Sequence, residues 1–201
     1  MVDHARIIGL AGGSCSGKGH LSEALRASLG DDLLVLRLDD YYLDVPDHCA
    51  AAIAAHNYDE PAAFDVALLA SHLDRLSSDL AIDMPSYDFT LHRRRDGTAR
   101  VAPRSIVLVE GILVLAIEEI RSRCSLRVFV ASPPEVRLER RLHRDVRERG
   151  RDEAEVRQRF REHVGAMHDR YVEPSRTYAD LVLDGTRDVA ENAAEFLRML
   201  A

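Results

Sequence analysis

The sequence predicts an α/β fold, a parallel sheet sandwiched by helices, and three observations carry that prediction. Short apolar runs alternate with longer segments of helical periodicity along most of the chain. A glycine-rich turn joins the first such run to the first helix. One polar, proline-bounded stretch, 81–103, interrupts the rhythm and reads as a hairpin excursion from the sheet. A chain of 201 residues with 46% hydrophobic and 30% charged residues suits one globular domain over 1–201.

The elements follow in order. "RIIGLA" (6–11) is a first strand, and "HLSEALRASLG" a helix ended by Gly30. "LLVLRL" (33–38) is a second strand that runs into "DDYY". In "PAAFDVALLASHLDRL" (61–76), Phe64, Leu68, Leu69, Leu73 and Leu76 fall at helical spacing. The stretch "AIDMPSYDFTLHRRRDGTARVAP" carries Asp96–Gly97, a hairpin-turn dipeptide, and forms a small lobe at about 81–103. "SIVLVEGILVL" (105–115) and "LRVFVA" (126–131) resume the core pattern. "PPEVRLERRLHRDVRERG" (133–150) is a helix with proline at its start and glycine at its end. A further helix precedes Pro174, "DLVL" (180–183) is a last strand, and 188–200 a closing helix.

Composition excludes several classes. A net charge of −7 argues against a dedicated nucleic-acid binder. No apolar stretch is long enough to span a bilayer, and no secretory leader is read at the N-terminus. Cys15, Cys49 and Cys124 lack metal-ligand or redox spacing and suit free thiols in a reducing compartment. A cytoplasmic protein without nucleic-acid or membrane partners is expected.

"GGSCSGKGH" carries the chemistry. Gly12, Gly17 and Lys18 match G-x-x-x-x-G-K, a turn whose backbone N–H groups wrap phosphate while the helix N-terminus adds a favourable dipole. Gly13, Ser14, Ser16, Gly19 and His20 complete the expected nucleotide-binding segment. Lys18 would bring positive charge to the outer phosphates. Gly19 stands where a hydroxyl should hold Mg²⁺, and histidine is a poor ligand for so hard a cation. Glu110, at the end of "IVLVE", is either a strand-end acid capping the next turn or a metal carboxylate. Beside a phosphate loop, the metal role is favoured. Asp39 and Asp40 follow the second strand onto the same sheet edge, where a carboxylate could take the proton of an acceptor hydroxyl. Pattern alone does not choose between them.

In 134–149, Leu138, Leu142 and Val146 recur every four residues and predict a buried stripe. Arg137, Arg141 and Arg144 fall on another face, which Arg151 continues if the helix passes Gly150. Arg140 and Arg147 are assigned to a solvated face together with Glu135, Glu139, Asp145 and Glu148. A basic helix of this kind could close over a nucleotide as a lid, at about 134–152.

Seven segments in order, "GGSCSGKG", "DDYY", "NYDEPAAFD", "IDMPSYDFTLHRR", "VEGILVL", "RRLHRDVRERGRD" and "YVEPSRTYADLVL", resemble those of uridine (uridine–cytidine) kinases over nearly the whole chain. The resemblance implies a P-loop NTPase-type fold that transfers the γ-phosphate of ATP, with Mg²⁺, to the 5′-hydroxyl of uridine or cytidine. It implies Asp39 as general base with Tyr42 in the same loop, and Asp59 and Arg141 on the ribose hydroxyls. Tyr87, Phe89 and His92 match the nucleobase pocket, Arg144 a second base or substrate contact, and Arg149 and Arg151 phosphate-facing lid arginines. Relatives commonly form tetramers, so a homo-oligomer is expected.

Departures leave two other readings open. Gly19, Glu60, Arg159 and the turn "LDGTRD" differ from the family pattern. A related kinase could act on another small alcohol, of the sugar, ribulose phosphate or pantothenate type. Alternatively, a nucleotide-binding protein could have weak or no catalysis because Gly19 lacks a hydroxyl.

Overall fold

A computed structural model describes residues 5–45, 49, 52–53, 56–148 and 150–200. Five parallel strands form the main sheet: β1 (Arg6–Gly12), β2 (Leu33–Arg37), β7 (Ile106–Glu110), β8 (Leu126–Ala131) and β9 (Leu181–Asp184). Their order is β2-β7-β1-β8-β9, so the chain reverses its direction of winding across β1 and opens a crevice at the carboxyl ends there. Strand alternation fills both faces. Ile7, Ala11, Val107, Val109 and Phe129 face one core, and Ile8, Leu10, Leu108, Val128 and Val130 the other. A sheet buried on both sides explains the near-continuous apolar runs.

Helix α1 (Lys18–Leu29) lays Leu21 and Leu25 on the second core beside the carboxyl-terminal helix Val189–Arg198, which contributes Ala193 and Phe196. Gly30, at φ 55°, ends α1. Helix α2 (Val66–Ser77) covers the first core with Leu69, Leu73 and Leu76. It starts later than its periodicity suggested. Asp65 caps it by accepting from Leu68 N, and Phe64 lies outside it, stacked on Tyr42 at 4.3 Å between ring centres.

The interrupting stretch folds as two nested antiparallel ladders, β3 (Ile82–Met84) with β6 (Ala99–Val101) and β4 (Tyr87–Asp88) with β5 (Arg93–Arg94). Asp96–Gly97 therefore does not close the hairpin. The chain reverses at 89–92, where Asp88 Oδ1 accepts from Thr90 N and Leu91 N and His92 takes φ 52°. Gly97, at φ 89°, lies between β5 and β6.

A short helix, α3 (Glu118–Arg121), precedes β8, and α4 (Pro134–Leu142) follows it, continuing as a π-helix over His143–Glu148. Gly150, at φ 65°, ends that run, so Arg151 does not extend its helical face. Helix α5 (Glu153–Arg159) continues through π turns at Phe160–Val164 and His168–Val172 to Ser175. Pro174 thus lies inside the helical run instead of ending it; the change from α to π hydrogen bonding supplies the irregularity that a proline needs. Val189–Arg198 is α6.

The leucine stripe on α4 needs correcting. Leu138, Leu142 and Val146 are only half-buried, whereas Arg137 is 2% exposed and Asp145 is fully buried. Arg137 donates to Ser132 O and lies over the Phe160 ring, and Asp145 is enclosed by Arg141, Arg144 and Arg151, so charge faces inward.

Candidate active site

The loop between β1 and α1 has a shape that only particular residues can supply. Gly12 has φ 142°, and a Cβ there would lie 2.3 Å from Val130 O. Gly17, the residue before α1, has φ 112°. Cys15 takes the left-handed region at φ 62° without being glycine. The loop is clamped from outside: Ser132 Oγ donates to Ser16 O at 2.9 Å, and Arg140 donates to Ser16 O at 3.3 Å and Gly185 O at 2.9 Å. Arg140 is thus a fastener between the loop and the turn after β9, contrary to its assignment to a solvated face.

A cavity of about 610 Å³ opens over this loop at the carboxyl ends of the strands. Ser14, Cys15, Ser16, Gly17, Lys18, Gly19 and His20 line one side; Asp39, Glu110, Arg140 and Arg144 line others. Gly12 and Gly13 shape the turn from beneath: the Lys18 ammonium donates to Gly12 O at 2.8 Å and Gly13 O at 3.0 Å. Burial pulls the Lys18 pKa down, while Glu110 and then Asp39 oppose the shift. A cation between two acids, with a turn of backbone N–H groups beside it, suits a polyanion carrying its own divalent cation.

The tandem acids after β2 sit in a 3₁₀ turn, Leu38–Tyr41, pinned by the fully buried Leu38 and Tyr41. The turn points them apart. Asp39 enters the cavity. Asp40 accepts from Tyr87 N at 3.4 Å and pairs with Arg37 at 3.7 Å, and so supports the hairpin. Burial pushes the Asp39 pKa up to about 6 against the pull of Lys18, with Glu110 adding to the rise.

Aromatic rings cluster after Asp39 in the chain, and neither they nor Asp59, His92 and Arg141 line the 610 Å³ cavity. Tyr42 stacks on Phe64, meets Tyr58 and Tyr87 at 5.4 and 5.2 Å between centres, and donates to Tyr58 O at 3.0 Å. Phe89 stands edge-on to Tyr87 at 5.4 Å and is 42% exposed at the hairpin tip. His92 Nδ1 bonds Tyr58 Oη at 2.9 Å. Burial lowers the His92 pKa, with Arg151 and Arg159 adding to it, which favours the neutral imidazole. Burial raises the Asp59 pKa against Arg141, Arg159 and His163, which orders these groups around one acid.

Asp145 ties together three arginines. Its carboxylate meets Arg144 Nε at 2.8 Å, Arg141 Nε at 3.4 Å and Arg151 Nη1 at 3.5 Å, and its carbonyl accepts from Arg151 N at 3.0 Å. Arg141 also donates to Ser14 Oγ at 3.1 Å, linking α4 to the glycine-rich turn. Arg151 does not line the 610 Å³ cavity but turns to Asp145. Arg149 lies outside the described residues.

Four contributors escaped the sequence: Arg140, Asp145, Tyr58 and Ser22, whose Oγ donates to Glu110 Oε2 at 2.7 Å. Arginine and aspartate four apart, at 141 and 145, signal a helical pair, although not its burial. Nothing local marks Tyr58 or Ser22.

Glu110 and Asp39 offer oxygen donors beside Lys18, and among the described residues no cluster of three or more metal-ligating side chains occurs. That donor set fits Mg²⁺ shared with substrate phosphates, not a cation caged by protein. Among the described residues no helix is long and apolar enough to cross a membrane.

Comparison with known proteins agrees with this geometry. Residues 7–191 match the model of the phosphoribulokinase/uridine kinase family. The chain is 45% identical to a uridine kinase of Deinococcus deserti over 91% of its length and 90% of the relative's. It is 42% identical to a uridine kinase of Geobacillus kaustophilus over 88% and 84% of the two chains. In fold it is similar to the solved structure of a possible uridine kinase from Bacillus stearothermophilus, with TM-score 0.66, 19% identity, and 92% and 91% of the chains covered. A sheet wound about β1, a glycine turn at its crevice and matches spanning nearly the whole length lead to one assignment: this chain belongs to the phosphoribulokinase/uridine kinase family.

Proposed function

We propose that the protein is an ATP-dependent nucleoside kinase that transfers the γ-phosphate to the 5′-hydroxyl of uridine or cytidine, in the cytoplasm, as part of pyrimidine salvage. The observation that carries this reading is the convergence of Lys18 and Asp39 on one cavity, with the Tyr42–Tyr58–Tyr87–His92 cluster following Asp39 in the chain.

In this reading the triphosphate lies on the turn Gly12–Gly17 and the amino-terminal backbone of α1. Lys18 gives up its bonds to Gly12 O and Gly13 O and neutralises the outer phosphates. Arg144 reaches them from the lid, and Arg149 and Arg151 follow when the lid closes. Asp39 accepts the proton of the acceptor hydroxyl as that oxygen bonds to the γ-phosphorus and the bond to the bridging oxygen breaks, releasing ADP. A carboxyl with a pKa near 6 suits this role, since it is ionised at pH 7 yet basic enough to hold the proton. Bound Mg²⁺ would supply charge neutralisation of the phosphates, with Glu110 as its protein ligand.

Asp59 and Arg141 take the ribose hydroxyls, and Tyr87 and Phe89 pack on the pyrimidine. His92 reads the exocyclic group. The Tyr58 hydroxyl can donate to Nδ1 or accept from it, so Nε2 can present a proton to a carbonyl or a lone pair to an amine. That freedom lets one pocket take both uracil and cytosine.

The test is phosphate transfer from Mg-ATP to a panel of hydroxylated metabolites. Uridine and cytidine are expected to be the preferred acceptors. Turnover of sugars or pantothenate with pyrimidine nucleosides ignored would remove the substrate assignment.

A further inference from the structure

Gly19 lies on the cavity wall, and a Cβ built there would meet nothing within 4 Å. The position that most naturally offers a hydroxyl to a phosphate-bound cation is therefore open and bare. One helical turn further along α1, on the same side of the helix, stands Ser22, 6% exposed. Its Oγ donates to Glu110 Oε2 at 2.7 Å, and Oε1 makes no hydrogen bond among the described residues. Glu110 itself is held by β7, whose register sets it beside Leu10 of β1 and Arg37 of β2.

The neighbouring lysine makes this bond consequential. Glu110 exerts the strongest attraction on the Lys18 charge, yet among the described residues Lys18 bonds only to Gly12 O and Gly13 O and forms no ion pair with Glu110 or Asp39. A carboxylate free to rotate would be drawn to that ammonium. A carboxylate with one oxygen tied to Ser22 keeps the other available. In a loop without a ligand hydroxyl, the cation's position then depends on how firmly this one carboxylate is aimed.

We propose that Ser22 is the positioning residue of the divalent-cation site, fixing Oε2 of Glu110 so that Oε1 serves as the cation's protein ligand and offsets the missing hydroxyl at Gly19. The inference rests on the Mg-nucleotide reading of the cavity and is independent of which alcohol is phosphorylated.

The test measures Mn²⁺ binding by electron paramagnetic resonance to the full-length protein saturated with a non-hydrolysable ATP analogue, with no nucleoside present. Ser22→Ala is expected to weaken Mn²⁺ by about tenfold, as loss of an outer-shell partner commonly does. Affinity for the analogue in EDTA should be unchanged. Alanine favours helix, so α1 should persist, and the thermal midpoint checks it. Glu110→Gln should lose Mn²⁺ comparably, and adding Ser22→Ala to it should cost nothing more, because both act through one carboxylate. Unchanged Mn²⁺ affinity in Ser22→Ala overturns the proposal. So do equal losses with and without metal, or fully additive losses in the double variant. A wild-type protein that binds neither the analogue nor its Mn²⁺ complex would remove the nucleotide reading as well. Inactivity toward uridine with Mn²⁺ behaving as expected would remove only the acceptor assignment.

Discussion

In the proposed function, the phosphate side and the acceptor side of the site are built by different means. The phosphate side is one continuous turn of backbone, Gly12 to Gly17, whose shape is set by positive-φ residues and held by Ser132 and Arg140 on the carbonyl of Ser16. The proposed acceptor side is gathered from separate segments, Asp39–Tyr42, Tyr58–Asp59, Tyr87–His92 and Arg141, joined by side-chain contacts such as Tyr58 Oη to His92 Nδ1. Backbone donors bind any phosphate chain and tolerate changes of side chain. A pocket made of side chains discriminates, and single substitutions can retune it. On the proposed reading, substitutions of side chains should therefore alter the choice of acceptor more readily than the binding of the phosphate chain.

The largest effect is expected where the two sides meet. Asp39→Asn should cost about 10²- to 10⁴-fold in kcat with little change in ATP binding, measured by steady-state assay and by isothermal titration. Stability should move the other way. Burial holds the Asp39 pKa near 6, above its ordinary value of 3.8, so between those values the folded protein retains a proton that the unfolded chain has lost. The stability contributed at this position therefore falls as pH rises through that window. Asp39→Asn, carrying no charge, should melt higher than wild type above pH 6. An inactive variant that also melts lower would make Asp39 a structural acid.

The intermediate effect tests the strap between the sides. Asp145 is fully buried among Arg141, Arg144 and Arg151. Asp145→Asn should cost about 3 kcal/mol of stability, because a buried charge set loses its counter-ion. It should also cost about a hundredfold in kcat/KM, through misplaced guanidinium groups. Urea unfolding and kinetics read the two losses separately, and a stability loss with kcat/KM intact would break the link between lid and chemistry.

The smallest effect sharpens the claim about identity. Tyr58→Phe removes the hydroxyl that lets His92 present either tautomer. Imidazole then reverts to its own preference for the proton on Nε2, which suits a carbonyl. The kcat/KM ratio should shift about fivefold toward uridine, the worth of one hydrogen bond, while kcat with uridine stays within twofold. An unchanged ratio would mean that His92 does not read the exocyclic group.

Legibility in the sequence follows the same division. Strands buried on both faces announce themselves as apolar runs, and "LRVFVA" coincides with β8 because nothing but local pattern determines it. The phosphate turn is equally local. The acceptor side became readable only through resemblance, since residues 16 and 34 apart meet there, as Tyr42 with Tyr58 and Tyr58 with His92 do. Pattern alone leaves Asp39 and Asp40 open; resemblance names Asp39, and the direction of a 3₁₀ turn brings it into the cavity. The face of α4 departs from its pattern for a general reason: periodicity assumes that helices bury apolar residues, whereas here Arg137 and Asp145 are buried through Ser132 O and an arginine cluster where Leu138 and Val146 were expected. Asp96–Gly97 had the composition of a hairpin turn, but the register of β4 with β5 closes the chain earlier.

The most direct test of convergence on one cleft is the pH dependence of kcat/KM for uridine phosphorylation at saturating Mg-ATP. With Asp39 as the base, the wild-type rate should rise tenfold per pH unit below about 6 and level off above it, as the carboxyl ionises. Asp39→Asn should be slow and flat across the same range. A variant that keeps the wild-type rate and its inflection would contradict the account.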